Sequence, residues 1–413
     1  MGETDSQTVM CINSGSSSLK FHLYTMAGGA EKLLARGAVE GIGQGEARLW
    51  VVDGEAAPLA ERALNGIDHE QAIDQALRAL SDTSLATVDA IGHRVVHGGP
   101  NHRAPELVTP ALMDDLQAHV AWAPLHMPAG LRVIEVLQRQ RPGVPQVACF
   151  DTGFHATMPD VARRLPLPGS FYDQGIYKYG FHGLSYEYIV NALGDKAKGR
   201  LVIAHLGNGA SMCACLDGRS VDTTMGMTPL GGFMMGTRCG DMDPGVLLYL
   251  MREGGYDDAG LEQLLDQSSG LKGVSGVTAD MRSLLELCGR CDPAATQAVD
   301  MFCYQAAKTI GALAVVLGGL DKLVFTGGIG ENAAAVRGLI CERLRHLGVV
   351  IDQAKNEAGD ECVSAVDAAC TVMVLHTNED LMIARHTHAT VFGAQAAAAA
   401  CATPCEDCSS SHT

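Results

Sequence analysis

The sequence predicts an α/β protein built from two similar domains. A chain of 413 residues can bury a large core and is long enough for two or three domains. Residues 10–21 predict two short strands joined by a tight Ser/Gly turn, and residues 201–216 repeat this strand–turn–strand pattern half a chain later. Two such hairpins, with helices and further strands predicted around them, indicate two related domains that face each other.

The first hairpin has the composition of a phosphate-binding loop. Asn13 and Ser14 end its first strand, Gly15 permits a sharp turn, and residues 16–18 are serines that offer hydroxyls and closely spaced N–H groups. Lys20 adds a flexible positive charge, so the stretch suits a polyphosphate. The Walker pattern GxxxxGK[ST] is absent from the sequence. Taken alone, an ordinary serine-rich hairpin with an exposed lysine is the simpler interpretation.

The first half of the chain alternates strand-like and helical patterns. Turn-separated apolar runs fill residues 31–64, and residues 68–80 have the apolar spacing of an amphipathic helix. Further strands and helices are predicted at residues 88–91, 109–121, 131–139 and 144–150. We place the first domain boundary near the end of the last of these strands.

Polar side chains follow two of these strands. In the run GHRVVHGG, cationic side chains stand beside glycines at a strand end, which favours an anion site. Arg94 is its strongest candidate, whereas His93 and His97 fit structural roles equally well. His126 precedes a proline-containing turn, and Asp151 ends a buried strand, where an acid can approach a metal or substrate or act as a structural cap.

The second half contains two further glycine-rich segments. Residues 222–245 form a long loop rich in Gly, Met and Thr, and a buried loop of this length is uncommon unless it is functional. Arg238 is the only Lys or Arg in that loop. Residues 322–326 predict a strand that leads through GGIGEN into a helix from Ala333, an arrangement that places nucleotides against a helix N-terminus.

Composition excludes several classes of protein. A net charge of −17 argues against a nucleic-acid partner, because phosphate contacts need a basic surface. No apolar run reaches the ~18 residues of a membrane span, and the acidic start of the chain does not predict a secretory signal. The 14 cysteines are therefore expected to be reduced thiols in the cytoplasm. The pairs Cys288/Cys291 and Cys405/Cys408 leave a zinc or redox site conceivable, although incidental thiols fit better.

Eight motifs together resemble the acetate kinase family of short-chain acyl kinases. They occur in the family's order over residues 11–380, and they read NSGSSSLKF, GHRVVHGG, FDTGFH, YGFHG, HLGNGAS, MGTRCGDMDPG, GGIGEN and TNED. The resemblance implies an actin-like ATPase fold: two duplicated ribonuclease-H-like domains with an interdomain cleft. It also implies a homodimer and reversible, Mg²⁺-dependent transfer of the γ-phosphate of ATP to acetate, with Mn²⁺ as a possible substitute.

The resemblance also implies how the chain is divided. Residues 1–150 would form the first domain, closed by a helix at 381–398, and residues 151–380 would form the nucleotide-binding domain, followed by a low-complexity tail at 399–413. Two alternatives stay open. The acceptor could be propionate or butyrate, or the chain could be an ATP-binding regulatory or chaperone-like protein of the same fold group. Retention of a carboxylate clamp argues against the last of these.

The family pattern assigns roles to individual residues of this chain. It makes Asn13 and Glu379 the metal site. The catalytic groups would be Arg94, His126, Asp151, His182 and Arg238. The acyl pocket would be lined by Arg94, Val96, Leu125, Phe181 and Pro229. The ATP site would comprise Lys20, His205, Leu206, Gly207, Asn208, Gly209, Asp280, Met281, Arg282, Gly328, Ile329, Gly330, Glu331 and Asn332.

The chain departs from the usual family pattern at several positions near these residues. Tyr186 stands where His is usual, Gly231 replaces an acid, and Cys239 replaces a serine beside Arg238, which makes it a candidate for thiol sensitivity. We also disagree with the base role usually given to Asp151, because a carboxylate substrate is already ionised at neutral pH. We expect Asp151 to orient Mg²⁺ or its waters instead.

Overall fold

A computed structural model describes residues 6–81 and 87–393. The tail at 399–413 and the end of the helix predicted at 381–398 lie outside these residues. The chain divides into two compact units. The first unit comprises residues up to Phe150 together with those from Glu379 onward, and the second unit is Asp151–Asn378.

Strands form one sheet in each unit. In chain order they are β1 Gln7–Ser14, β2 Ser18–Ala27, β3 Ala30–Glu40, β4 Glu46–Asp53, β5 Pro58–Asn65, β6 Ala90–Val95, β7 Glu106–Leu107, β8 Gln146–Phe150, β9 Arg200–Leu206, β10 Ala210–Leu216, β11 Arg219–Thr223, β12 Lys322–Thr326 and β13 Thr371–Val374.

Helices cover the faces of both sheets. In chain order they are α1 His69–Ser81, α2 Pro110–Ala118, α3 Met127–Gln140, α4 Asp160–Arg163, α5 Gly169–Asp173, α6 Gly183–Leu193, α7 Pro244–Arg252, α8 Asp258–Gln267, α9 Gly270–Ser275, α10 Met281–Gly289, α11 Pro293–Leu317, α12 Gly327–Asn332, α13 Ala334–Arg343, α14 Gln353–Ala358 and α15 Glu379–His388. Short 3₁₀ turns lie at Val120–Trp122, Gly153–Thr157, Gly194–Ala197 and Arg345–Leu347, and a π turn follows at Ala389–Gly393.

The two sheets share one topology. The first has the order β5-β4-β3-β2-β1-β6-β8-β7 and the second the order β11-β10-β9-β12-β13. In each sheet three neighbouring strands pair antiparallel, and two further strands continue the sheet parallel to the third of them. The strands β3-β2-β1-β6-β8 therefore correspond to β11-β10-β9-β12-β13. The predicted α/β class is confirmed, and the duplication that the two hairpins predicted is visible in the strand order.

Helix α15 packs against the sheet of the first unit because glycine leaves room for it. A Cβ on Gly92 of β6 would lie 2.1 Å from Thr387 Oγ1 and 2.5 Å from Ile383 Cγ2. Only a residue without a side chain permits this approach. The close packing brings Glu379, at the start of α15, near the end of β6. On the opposite face α1 and α3 enclose a core with Phe21, Ile73 and Leu137.

One helix of the described chain, α11, is long and apolar enough to cross a membrane by length and composition alone. Its buried side chains, including Phe302 and Ile310, face the core of the second unit. It contacts β9 and β10 as well as neighbouring helices. These contacts are those of a core helix.

Candidate active site

In the first unit, three polar side chains converge at one edge of the sheet. Parallel pairing of β1 and β6 sets Asn13 beside Arg94. The guanidinium donates from Nη1 to Asn13 Oδ1 at 3.2 Å, and its Nε lies 3.8 Å from Glu379 Oε2. The side chains of Arg94 and Glu379 are each 17% exposed. An amide and a carboxylate oxygen therefore lie around one cationic group.

This donor set fits the metal that the resemblance implies. Mg²⁺ takes oxygen ligands and keeps several of its waters, so two protein oxygens suffice. Asn13 Oδ1 and Glu379 Oε2 already converge on the positive charge of Arg94. Lys20 pairs with Asn13 across β1 and β2 and is exposed. Among the described residues, no group of three or more His, Cys, Asp or Glu is placed to hold a metal.

The two histidines beside Arg94 are structural. His93 is 2% exposed and its Nε2 lies 2.7 Å from Gln146 Oε1. Burial lowers the pKa of His93 to about 4, which keeps the ring neutral at pH 7. His97 is fully buried, and its Nδ1 accepts a bond from the N–H of Gly99. Both rings are therefore buried and hydrogen-bonded within the first unit.

The other predicted site residues of the first unit are Val96, which follows β6, and Leu125 and His126, which precede α3. Val96 is buried one residue after β6. Leu125 is partly exposed, and His126 is the residue before α3.

In the second unit, His182 and Arg238 converge on the β9–β10 turn. A Cβ on Gly209 would lie 3.5 Å from His182 Nε2 and 3.6 Å from Arg238 Nη1. His182 precedes α6 with φ +57° and ψ 26°, a left-handed conformation that non-glycine residues adopt at a cost. Such strain concentrates at functional sites. Two nitrogen donors thus point at one place beside a glycine turn.

Hydroxyl groups hold the ring of His182 and a second ring stacked on it. His182 Nδ1 lies 2.8 Å from Ser211 Oγ, and Ser211 Oγ is bonded to the Tyr186 hydroxyl. His205 stacks on His182 with ring centroids 4.3 Å apart. His205 Nδ1 lies 2.8 Å from Ser185 Oγ. Each imidazole is therefore fixed through Nδ1.

Arg238 is held by a carbonyl group of its own loop and by a carboxylate 28 residues further along the chain. Its Nη1 donates to the carbonyl oxygen of Pro229 at 3.2 Å, and its Nε lies 3.5 Å from Asp266 Oδ1. Burial raises the pKa of Asp266, and the charge of Arg238 opposes that shift. The contact with Asp266 restricts the orientation of the Arg238 guanidinium. No local pattern in the sequence distinguishes it from other acids of α8.

Three separate segments of the second unit border a cleft of about 1090 Å³. They are the β9–β10 turn, the start of α10 and helix α12. Eight of the predicted ATP residues line it: Gly207, Asn208, Asp280, Met281, Arg282, Gly328, Ile329 and Asn332. The size is typical of a small-molecule site. The structure thus brings together three segments that are spread over residues 207–333 of the chain.

The remaining predicted ATP residues of this unit do not line the cleft. They are His205, Leu206, Gly209, Gly330 and Glu331. The carboxylate of Glu331 instead accepts from the N–H groups of Gly327 at 2.9 Å and Thr377 at 3.3 Å, and it pairs with His376. The segment predicted as a GGIGEN turn is in fact helix α12, and Glu331 caps its first residue.

A buried arginine that the sequence analysis missed supports this helix. Arg337 is 1% exposed. Its Nη1 donates to the carbonyl oxygens of Gly330 and Glu331 at 2.9 and 2.8 Å. Nε and Nη2 donate to Asn356 Oδ1 and the Asn356 carbonyl at 2.8 and 2.7 Å. Arg337 therefore ties the C-terminal end of α12 to α14.

Asp151 and Phe181 are both enclosed in the second unit. Asp151 is fully buried directly after β8, and its carbonyl oxygen accepts from the N–H of Gly183 at 2.8 Å. Phe181 is 1% exposed, and its carbonyl oxygen bonds to His155 Nε2 at 3.1 Å. These backbone bonds fix the chain on both sides of His182.

Cys239, the cysteine beside Arg238, is not a reactive thiol at neutral pH. Burial raises the pKa of the Cys239 thiol to about 11, so it carries little thiolate at pH 7. Cys288 and Cys291 are free thiols, as are the other cysteines that the structure describes. The pair Cys405/Cys408 lies outside the described residues.

A duplicated α/β fold, a cleft bordered by a glycine turn and a glycine-rich helix, and a His–Arg pair beside that turn define a phosphate-handling protein of the kinase type. A sequence model of the acetokinase family matches residues 8–385, and the chain belongs to that family.

Named relatives support this assignment. The chain is 44% identical over 392 residues to an acetate kinase of Rhodopseudomonas palustris, which covers 92% of this chain and 98% of the relative. It is 42% identical over 395 residues to a propionate kinase of Citrobacter rodentium, covering 92% and 96%.

Solved structures show the same fold. A crystal structure of a propionate kinase from Francisella tularensis matches with a TM-score of 0.88 at 35% identity, covering 93% of this chain and 100% of that one. An acetate kinase from Porphyromonas gingivalis matches with a TM-score of 0.84 at 37% identity and the same coverage. The fold class expected from the sequence is confirmed.

Proposed function

We propose that this chain is an acetate kinase, which reversibly transfers the γ-phosphoryl group of ATP to acetate and forms acetyl phosphate and ADP. One observation carries the proposal within the family: His182 Nε2 and Arg238 Nη1 lie 3.5 and 3.6 Å from one point at Gly209. Gly207 and Asn208 of the same turn border the nucleotide-sized cleft. Two donors beside a nucleotide site suit a phosphoryl group in transfer.

The reaction needs charge compensation more than proton transfer. The transferring group is metaphosphate-like, with charge on its equatorial oxygens. The Arg238 guanidinium offers a fork of donors, and His182 offers an N–H at Nε2. The acceptor carboxylate, with a pKa of about 4 by comparison with side-chain carboxyls, needs no base at neutral pH. Asp151 therefore serves to orient the metal or its waters.

Arg94 supplies the clamp for the acceptor carboxylate. Its guanidinium can bind a carboxylate through two parallel N–H groups, which a lysine cannot do. Asn13 and Glu379 would hold Mg²⁺, with Mn²⁺ as a substitute, and Lys20 would approach the phosphates. The metal, when bound, neutralises phosphate charge. His126 would stand near the transferring group.

Acetate is proposed over propionate and butyrate. Curated relatives at 44–45% identity are acetate kinases, whereas a propionate kinase is 42% identical. The pocket would be lined by Val96, Leu125, Phe181 and Pro229. The branched Val96 leaves less room than alanine would, although one methylene is worth only about 1–3 kcal/mol.

Trapping of acyl phosphate by hydroxylamine tests the activity and the substrate together. With ATP and Mg²⁺, we expect acyl hydroxamate from acetate, less from propionate and least from butyrate. Arg94→Lys should lower kcat/KM for acetate by about a hundredfold because the bidentate contact is lost. Arg36→Lys, an exposed residue of β3 in the same unit, is the matched control and should behave as wild type. Absence of hydroxamate with all three acids would refute the proposal.

We further propose a cytoplasmic homodimer. Helix α7 has no buried residue and exposes Leu248, Tyr249 and Met251 by about half their surface. Helix α11 exposes Tyr304 and Val315. Apolar side chains of this kind favour association of copies. Free cysteines agree with a reducing compartment. Sedimentation of wild type and of Leu248→Glu tests the dimer, which the charged variant should weaken.

A further inference from the structure

Two stacked imidazoles in the second unit are held by chains of hydroxyl groups of the same kind. The Thr377 hydroxyl donates to Ser185 Oγ at 2.9 Å, and Ser185 Oγ lies 2.8 Å from His205 Nδ1. Beside it, the Tyr186 hydroxyl is bonded to Ser211 Oγ, which lies 2.8 Å from His182 Nδ1. Each ring thus has a serine at Nδ1 and a second hydroxyl behind that serine.

The second chain is fully enclosed. Tyr186 and Ser211 are both 0% exposed. Tyr186 lies in the first turn of α6, directly behind His182, and Ser211 is the second residue of β10. Water does not reach these hydroxyls, so the bonding order among them is set by the protein.

The chemistry of the three groups favours one direction of donation. A phenol is a stronger acid than an aliphatic alcohol, so the Tyr186 hydroxyl is the better donor and Ser211 Oγ the acceptor. Ser211 then directs its own hydrogen to His182 Nδ1. An imidazole that accepts at Nδ1 carries its proton at Nε2. Nε2 is the nitrogen that faces Gly209 and the side of Arg238.

We propose that Tyr186 is a positioning residue for phosphoryl transfer: through Ser211 it holds His182 as the Nε2–H tautomer, so that a neutral ring donates to the transferring phosphoryl group. The inference deepens the proposed function and rests on it. Tyr186 touches no reacting atom. Without its hydroxyl, Ser211 Oγ can accept from Nδ1–H, and the ring loses the bias that presents a proton at Nε2.

The variant Tyr186→Phe removes only the hydroxyl and keeps the aromatic ring in the core. We expect kcat for acetate to fall about tenfold to a hundredfold, less than the ~10²–10³ that loss of a whole donor costs. KM for ATP should change less than about twofold, because the cleft residues are untouched. Tyr188→Phe, on the same helix, is the matched control and should retain wild-type kcat.

The decisive readout is the tautomer of His182, which a merely structural role would not change. Protein labelled with ¹⁵N-histidine is measured at an alkaline pH where the ring is neutral, and the His182 signals are identified by their loss in His182→Gln. We expect a protonated Nε2 and an unprotonated Nδ1 in wild type and in Tyr188→Phe. In Tyr186→Phe, and in Ser211→Ala if the first variant does not fold, the Nδ1–H form should rise.

Unchanged His182 nitrogen signals in Tyr186→Phe would overturn the inference, whatever happens to activity. A loss of kcat with an unchanged tautomer would make Tyr186 a packing residue only. These spectra need no turnover. An absence of hydroxamate from the wild-type protein would therefore refute the proposed function without affecting the assignment of the tautomer.

Discussion

The buried ring of His93 predicts a specific loss of stability in mild acid. Its pKa falls from 6.5 to about 4 on burial, since the charged form loses its hydration. The unfolded chain therefore takes up a proton at this residue at a higher pH than the folded chain does. The contribution of His93 to the free energy of unfolding is fully present above pH 6.5. It is lost as the pH falls from 6.5 to 4, below which His93 is protonated in both the folded and the unfolded state.

The size of this loss follows from the shift. Each pH unit between the two pKa values contributes about 1.4 kcal/mol, so the total reaches about 3 kcal/mol at pH 4. Because His93 is 2% exposed, solvent screening does not reduce the figure much. The variant His93→Gln keeps a donor for Gln146 but does not titrate. Its free energy of unfolding should therefore lack this component of the acid dependence.

The two tryptophans provide the assay. Trp50 lies in β4 and Trp122 in a 3₁₀ turn, both in the first unit, so their fluorescence reports the unit that contains His93. Urea unfolding of wild type and His93→Gln is measured between pH 8 and pH 4. The difference in free energy of unfolding should move by about 3 kcal/mol in favour of the variant as the pH falls.

His346→Gln is the matched control, because His346 is exposed on the second unit. It should leave the pH dependence of the fluorescence transition unchanged. A constant difference between wild type and His93→Gln from pH 8 to pH 4 would refute the reasoning, since it would mean that His93 takes up its proton equally in both states.

Three further predictions concern the second unit. Arg337→Met should lower the free energy of unfolding by about 4 kcal/mol and raise KM for ATP, because four acceptors lose their donor. Arg343→Met, a half-exposed control on the same helix, should change the free energy of unfolding by under about 0.5 kcal/mol. At pH 7, maleimide should modify the exposed Cys291 and spare Cys239, whose pKa is raised to about 11, so activity should persist; inactivation with label on Cys239, prevented by ATP, would contradict this. Asp151→Asn should lower kcat and raise the Mg²⁺ concentration for half-maximal activity, whereas an unchanged Mg²⁺ dependence with a new acidic pKa in the rate profile would support a base.

Residues that break a local pattern were predictable from the sequence. Arg94 interrupts an apolar strand end, and Arg238 is the only Lys or Arg in its loop. The position of His182 beside Phe181 fits a structural histidine, and only the family resemblance predicts a functional role for it. Glycine and charge are unfavourable in such places unless they serve a purpose, so they stand out without any structure. The hairpins were predictable for the same reason, since their turns are local.

Residues that act through distant partners were not predictable. Arg337 donates to Asn356, 19 residues away, and Asp266 pairs with Arg238, 28 positions back along the chain. Each looks like an ordinary charged helix residue, because its sequence surroundings carry no trace of the partner. Helix α12 was missed because three glycines in six residues disfavour a helix. The hydrogen bonds that offset this come partly from Glu331 at the end of the same segment and partly from Arg337 outside it.

The duplicated topology places residues from separate parallel strands at one edge of each sheet. In each unit three adjacent strands run parallel, β1-β6-β8 in the first and β9-β12-β13 in the second. Parallel strands end at the same edge of a sheet, and ligands of α/β proteins bind outside those carboxyl ends. Asn13 and Arg94 are the next-to-last residues of β1 and β6.

The second unit uses the same edge differently. The Gly207–Gly209 turn follows β9, and α12 follows β12. The first unit therefore presents an amide and a guanidinium where the second presents a glycine turn and a glycine-rich helix, at equivalent positions of one fold. Side chains that reach out suit a small carboxylate and a metal, whereas bare backbone admits the bulk of a nucleotide. The variant Gly207→Asn, which adds an amide side chain to the turn after β9, should reduce ATP binding without altering the first unit. The affinity of the variant for a nucleotide analogue would measure this reduction.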